Sequence, residues 1–199
     1  MQLLFYFILG LYSASANENC SKIEPYIKES HTKVISKDYP YWYGVAQAEK
    51  ESGCKWRVSL DGHGSVGYFQ LTPKFLDPIL RPIYPDYDKP YSIQHFYATA
   101  YYMKTLIFTS PERKLWIAYQ RFNGGDWVVK ECNKAKSTKW EKCKAECRRK
   151  NVCVWKTTNG CKQWKNACEI NYEYSVKIYN LAKKYKITTD IDTLKYPFF

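Results

Sequence analysis

Apolar positions along this chain recur at helical spacing, and no long alternating run of the kind a half-buried strand needs is present. Ile23, Tyr26 and Ile27 give a weak helical pattern, so residues 17–37 read as an N-terminal arm or helix. A second helix is expected over residues 38–52, since Pro40 is tolerated in a first turn and Gly53 suits a C-terminal stop. Gly44, Ala48 and Glu51 share one stripe of that helix. Small residues beneath the carboxylate let another element approach and leave Glu51 partly buried in the last turn. Thr72-Pro73 opens a short helix as N-cap and first position. Residues 79–90, rich in proline, read as an irregular loop. Ser92 caps a long helix to about Phe108, with Ile93, Phe96, Ala100, Met103 and Ile107 at apolar positions. Ser110-Pro111 begins another, with Leu115, Ala118 and Phe122 on one face and a stop at Asn123-Gly124-Gly125. Helix returns over residues 171–186 through Val176, Tyr179, Ala182 and Lys183. The expected fold class is mainly α, in one domain over residues 38–186 with a tail at 187–199.

Between residues 130 and 169 the periodicity gives way to six cysteines among many Lys, Arg and Trp residues. This stretch reads as a disulfide-rich insertion before the last helix. The chain has eight cysteines, and an even number in an exported protein points to disulfides. The cysteines from Cys143 to Cys168 include no C-x-x-C pair, which argues against zinc. Spacing leaves the connectivity open, although Cys54, three residues after Glu51, is placed to fix the helix end, with Cys20 as a candidate partner.

Export is read from the first sixteen residues. Residues 3–12 are apolar and uncharged, and Ala14-Ser15-Ala16 supplies a small-residue cleavage pattern. The run is too short to span a bilayer comfortably. The expected product is periplasmic or extracellular, with no stable membrane span after cleavage. The segment before the apolar run lacks Lys and Arg, which leaves an uncleaved anchor as the alternative.

A net charge of +12 and a pI near 9.2 favour an acidic partner: nucleic acid, anionic lipid or anionic cell-wall polymer. No nucleic-acid module is recognisable. Tyr and Trp are abundant, at 19 and 7 residues, and either fill a core or line an amphipathic surface of the kind that carbohydrate presents.

The chemistry concentrates in residues 45–73. Glycoside cleavage needs a protonated carboxylic acid beside the leaving oxygen, and burial raises a Glu pKa toward that task. Glu51, at a helix end and followed by a glycine-rich loop, suits it, whereas a solvated surface Glu is the plain alternative. The surroundings decide between them. Glu51-Ser52, then Gly64-Ser65-Val66-Gly67-Tyr68-Phe69-Gln70-Leu71-Thr72-Pro73, then Phe122-Asn123-Gly124-Gly125 resembles the soluble lytic transglycosylase family and the related goose-type lysozymes. The likeness covers roughly residues 38–125, and the helix from Asn171, with Tyr174, resembles the family's closing helix.

That resemblance implies a lysozyme-like helical domain acting on peptidoglycan glycan strands. Glu51 would be the catalytic acid and then base. Gly67 would let the loop backbone approach the sugar, with Ser52 beside the acid. Gln70 would bond substrate or brace the loop, and Asn123 would hold the loop or contact sugar. Tyr68 and Phe69 would floor a subsite. Phe122 stands where the family usually has Tyr, so a hydroxyl near the carboxylate must come from elsewhere, with Tyr119 as a candidate. Asp61 lies three residues before Gly64, where many transglycosylases have Ser, and six before Gly67, where goose-type lysozymes carry Asp. It is either a second carboxylate that activates water or part of an Asp-Gly turn. The resemblance implies no metal and no organic cofactor. Three readings result: a transglycosylase using Glu51 alone, a muramidase using Glu51 and Asp61, or a non-catalytic basic wall-binding protein. Wall remodelling, secretion, phage entry and lysis all use such chemistry, and secretion-machine or phage assembly components are the protein partners they would bring.

Overall fold

A computed structural model describes residues 17–59, 64–186 and 195–199. The expected signal segment, Asp61 and residues 187–194 of the tail lie outside the described residues. The described chain is mainly helical, with eight α-helices and one two-stranded antiparallel hairpin.

Helix α2 (Trp42–Ser52) is the central element, packed between α1 (Glu18–Val34) and α8 (Ala167–Ala182). Its residues from Trp42 to Ala48 are all buried, as expected of a helix surrounded by others. Gly44 makes the close packing of α1 achievable. A Cβ at this position would lie 2.9 Å from both the His31 imidazole and the Ile27 side chain. The segment before residue 38 is therefore a packed helix of the core rather than a loose arm, with Cys20, Ile27 and His31 fully buried. On the far side, α4 (Gln94–Phe108) packs against α1 and α5 (Leu115–Gly124), and α5 packs against α8. The short α3 (Pro73–Leu80) begins at Pro73 as expected, but the Thr72 hydroxyl meets the Ser65 hydroxyl at 2.8 Å instead of capping the helix.

The insertion is more ordered than its sequence suggests. It takes in most of α6 (Trp127–Ala135), which begins just before it, then α7 (Trp140–Ala145) and a hairpin of β1 (Asn151–Thr157) and β2 (Gly160–Asn166). The hairpin shows no apolar alternation because neither face is covered: Val152, Val154, Trp155 and Trp164 are all exposed. Its local signal is the Asn159-Gly160 dipeptide, with Gly160 at φ +104°.

All eight cysteines are paired: Cys20–Cys54, Cys132–Cys143, Cys147–Cys168 and Cys153–Cys161. The first ties α1 to the end of α2, and the other three staple the insertion to itself and to α8. Inside the insertion, buried Glu131 accepts from the Tyr172 hydroxyl at 2.7 Å and pairs with Arg149 at 3.3 Å. Four disulfides fit an oxidising compartment. Among the described residues, no helix is long and apolar enough to cross a membrane.

The end of the tail belongs to the core. Phe198 packs on Tyr43, Tyr119 and Tyr179, with ring centroids 4.6, 5.9 and 5.1 Å away. The carbonyls of Pro197 and Phe198 accept from the N–H groups of Leu115 and Trp116, both at 3.0 Å. They thereby satisfy backbone donors that the start of α5 would otherwise leave unpaired.

Candidate active site

Glu51 sits in the last turn of α2, half-buried. The helix stops there because Gly53 adopts φ +67°, with its N–H bonded to the Glu49 carbonyl and that of Cys54 to the Ala48 carbonyl. Cys54, itself at positive φ, is then held to α1 by the disulfide to Cys20.

Opposite Glu51, the glycine-rich loop folds into a small cross-bonded unit. Gly67 N–H donates to the Arg57 carbonyl at 2.7 Å, and Val66 and Leu71 exchange backbone bonds at 2.8 and 3.0 Å. Ser52, buried, brings its hydroxyl 2.8 Å from the Tyr68 carbonyl and 3.1 Å from that of Ala48, and donates to one at a time. The residue beside the acid thus ties the loop to α2. Gln70, at φ +50°, donates from its side-chain amide to the carbonyls of Gly67 (2.7 Å) and Arg57 (3.2 Å), which is the bracing role.

Beneath the loop lies His95 of α4, fully buried. Phe69 N–H donates to its Nε2 at 3.3 Å, so the ring is neutral there and Nδ1–H donates to the Tyr87 carbonyl at 2.8 Å. Burial drives the imidazole pKa down to about 4, in keeping with that state. Gly67, at φ +81°, rests directly on the ring. A Cβ here would stand 2.2 Å from His95 Cε1, so only glycine fits.

The carboxylate opens onto a cleft of about 330 Å³ lined by Glu51, Ser59, Ser65, Gln70, Thr72, Phe122 and Asn123. Residues from both glycine motifs therefore meet Glu51 in space. Asn123 donates from its side chain to Asn171 Oδ1 of α8 at 2.7 Å, and Gly124 packs so tightly on Asn171 that a Cβ would lie 2.8 Å from it. Phe122 packs on Tyr102 at 5.7 Å.

Five residues expected on the substrate side lie behind this surface. Ser52 and Gly67 serve the loop as described. Tyr68 is buried against Phe96 (5.2 Å) and Trp56 (5.5 Å), and Phe69 is fully buried against His95 and Phe96. Tyr119 is also fully buried, and its hydroxyl meets that of Tyr39 at 2.9 Å. The hydroxyl at the carboxylate comes instead from Tyr174 of α8, which donates to Glu51 Oε1. Tyr174 is buried, which lifts its pKa well above the ordinary phenol range and keeps it a donor. Gln47, one turn before Glu51, lies within electrostatic reach of the Tyr174 hydroxyl, although its buried amide makes no hydrogen bond of normal geometry among the described residues.

Burial pushes the Glu51 pKa up, and this outweighs the opposing pull of the Tyr174 hydrogen bond and the neighbouring Lys50 cation. A carboxyl whose pKa burial raises, oriented through one oxygen and facing a polar cleft, has the properties of a general acid. No protein family, curated protein or solved structure matches this chain.

Motif reading names Tyr174 and Asn171 only as part of the closing helix, with no role at the site, and does not single out His95. For Tyr174 there was a signal: Phe122 lacks the hydroxyl that its motif position usually provides. Nothing in the sequence marks His95.

Proposed function

We propose that this chain is a lysozyme-like enzyme that cleaves the β-1,4 bond between N-acetylmuramic acid and N-acetylglucosamine in peptidoglycan, acting as a lytic transglycosylase. The observation that carries the reading is the setting of Glu51: a carboxyl with a raised pKa, bonded by Tyr174 and facing a cleft walled by residues of both glycine motifs.

In the first step, protonated Glu51 gives its proton to the bridging oxygen as the bond to the muramyl C1 breaks. The substrate's N-acetyl oxygen stabilises the cationic centre. Glu51, now a carboxylate, takes the proton from the muramyl 6-hydroxyl, and that oxygen bonds to C1 to close a 1,6-anhydro ring. The proton lost in the first half is recovered in the second, and no water is consumed. Tyr174 steadies the carboxylate in the interval when it carries charge. Among the described residues lining this cleft, Glu51 is the sole carboxylate, which fits a route that needs one. Net positive charge favours residence on the anionic wall, and the four disulfides suit a periplasmic or extracellular site.

Digestion of purified sacculi tests this reading. Soluble muropeptides ending in 1,6-anhydromuramic acid are expected. Products with free reducing muramyl ends would instead assign the chain to the hydrolases, with Asp61 the next residue to substitute. A failure to release any product would leave a basic wall-binding protein.

A further inference from the structure

A second cleft adjoins the first. It encloses about 460 Å³ between β2 and α8, within the range of about 300–1,000 Å³ usual for small-ligand sites. Two residues join its wall to that of the Glu51 cleft. Asn123 lines both, and Tyr174, whose hydroxyl holds Glu51, forms part of the second wall. The outer wall is the hairpin, which contributes Val154 and Trp164.

Trp164 is 61% exposed at this cleft. A single exposed apolar side chain needs no explanation, but the backbone that carries this one is held in place. It pairs across the ladder with Cys153, and Cys153 is cross-linked to Cys161 on the same hairpin. A flat ring with only two side-chain torsions, carried on a constrained backbone beside a polar cleft, loses little freedom on binding. The charged lining also has a sign. Lys177 is engaged by Glu173 at 3.3 Å and Lys50 lies over the Tyr174 ring at 5.7 Å, so that Lys50 and Lys165 carry two positive charges against the one of Glu169.

We propose that the cysteine-rich hairpin extends the substrate cleft into a subsite for the glycan strand beyond the scissile bond, with Trp164 stacking on the face of an amino-sugar ring. This rests on the peptidoglycan reading above and adds that the strand turns toward α8 and the insertion. Lys50 and Lys165 then meet carboxylates of the stem peptides that the muramyl sugars carry. The insertion has a function on this view: it lengthens the binding site of a small domain.

The test measures oligosaccharide binding to the Glu51→Gln protein, in which turnover is removed, using tri-N-acetylchitotriose, hexa-N-acetylchitohexaose and purified sacculi as probes. The hexamer is expected to bind about tenfold tighter than the trimer. Adding Trp164→Ala should erase that length advantage and leave the trimer affinity within about twofold, which corresponds to less than half a kcal/mol. Trp155→Ala, equally exposed on the same hairpin but outside the cleft, should keep the advantage and shows that the hairpin is intact. Retention of the full length advantage in Trp164→Ala would overturn the subsite while leaving the peptidoglycan reading in place. A Glu51→Gln protein that binds neither oligosaccharide nor sacculi would overturn both.

Discussion

The phenolic hydroxyl of Tyr174 on α8 donates a hydrogen bond to Oε1 of Glu51 on α2, joining residues 123 positions apart. Burial raises the Glu51 pKa, and this bond, which favours the charged carboxylate, opposes the rise. Tyr174→Phe removes the opposition. The alkaline limb of the activity profile, where the acid loses its proton, should move to higher pH by the order of one unit. An unmoved limb would show that Tyr174 does not act on the acid.

Glu51→Gln is expected to separate stability from activity. A carboxyl with a raised native pKa stabilises the fold fully only below its unfolded pKa, and that contribution is lost as pH rises through the native value. Gln keeps an oxygen that accepts the Tyr174 bond and has no charge to bury. The variant should melt at a higher temperature than the native chain near pH 7, with the gap closing in acid. A lower melting temperature at neutral pH would mean that the carboxylate supports the fold instead of straining it.

Gly67 and Gly64 both have positive φ, at +81° and +70°, but only Gly67 has the His95 ring against it. Gly64→Ala should cost about 1–2 kcal/mol, the strain of a left-handed residue. Gly67→Ala adds a steric clash and should cost roughly 2–5 kcal/mol. Urea unfolding of the two variants checks the order, and equal costs would contradict the packing described.

Two buried histidines predict acid sensitivity. His31 and His95 each have a native pKa near 4, set by burial, against an ordinary value of 6.5. As pH falls below about 6.5, the unfolded chain takes up protons that the native chain refuses until about pH 4. Stability should therefore decline across that window, by up to ~1.4 kcal/mol per pH unit for each ring. His95→Gln should flatten the slope of the urea midpoint against pH. An unchanged slope would mean that His95 is not neutral in the native protein.

The Cys20–Cys54 bridge closes a separation of 34 residues and anchors the turn that follows Glu51. The double Ser variant should lose roughly 3–4 kcal/mol. Its activity on sacculi should fall at temperatures where it is still folded, because the end of α2 is no longer tied to α1. Full activity in the variant would limit the bridge to stability.

Much of this was legible in the chain because it is local. Thr72-Pro73 marks where α3 starts, Gly53 marks where α2 stops, and the Gly44, Ala48, Glu51 stripe foretells close packing under the acid. The two glycine motifs are far apart in sequence, yet their residues share one cleft with Glu51. Three things were not legible, for physical reasons. The hairpin has both faces in solvent, so it lacks the period that betrays a strand. His95 supports the loop from 26 residues away, and no local pattern marks such a partner. The tail looked like an appendage, but Phe198 fills a space between aromatic residues of three different helices.

The most direct test compares the native chain with Glu51→Gln on the same purified sacculi, following released muropeptides by mass. The native chain should release fragments ending in anhydromuramic acid, and Glu51→Gln should release them roughly 10²–10⁴-fold more slowly, the usual contribution of a general acid–base. Equal release by the two proteins would remove Glu51 from the chemistry and contradict the assignment.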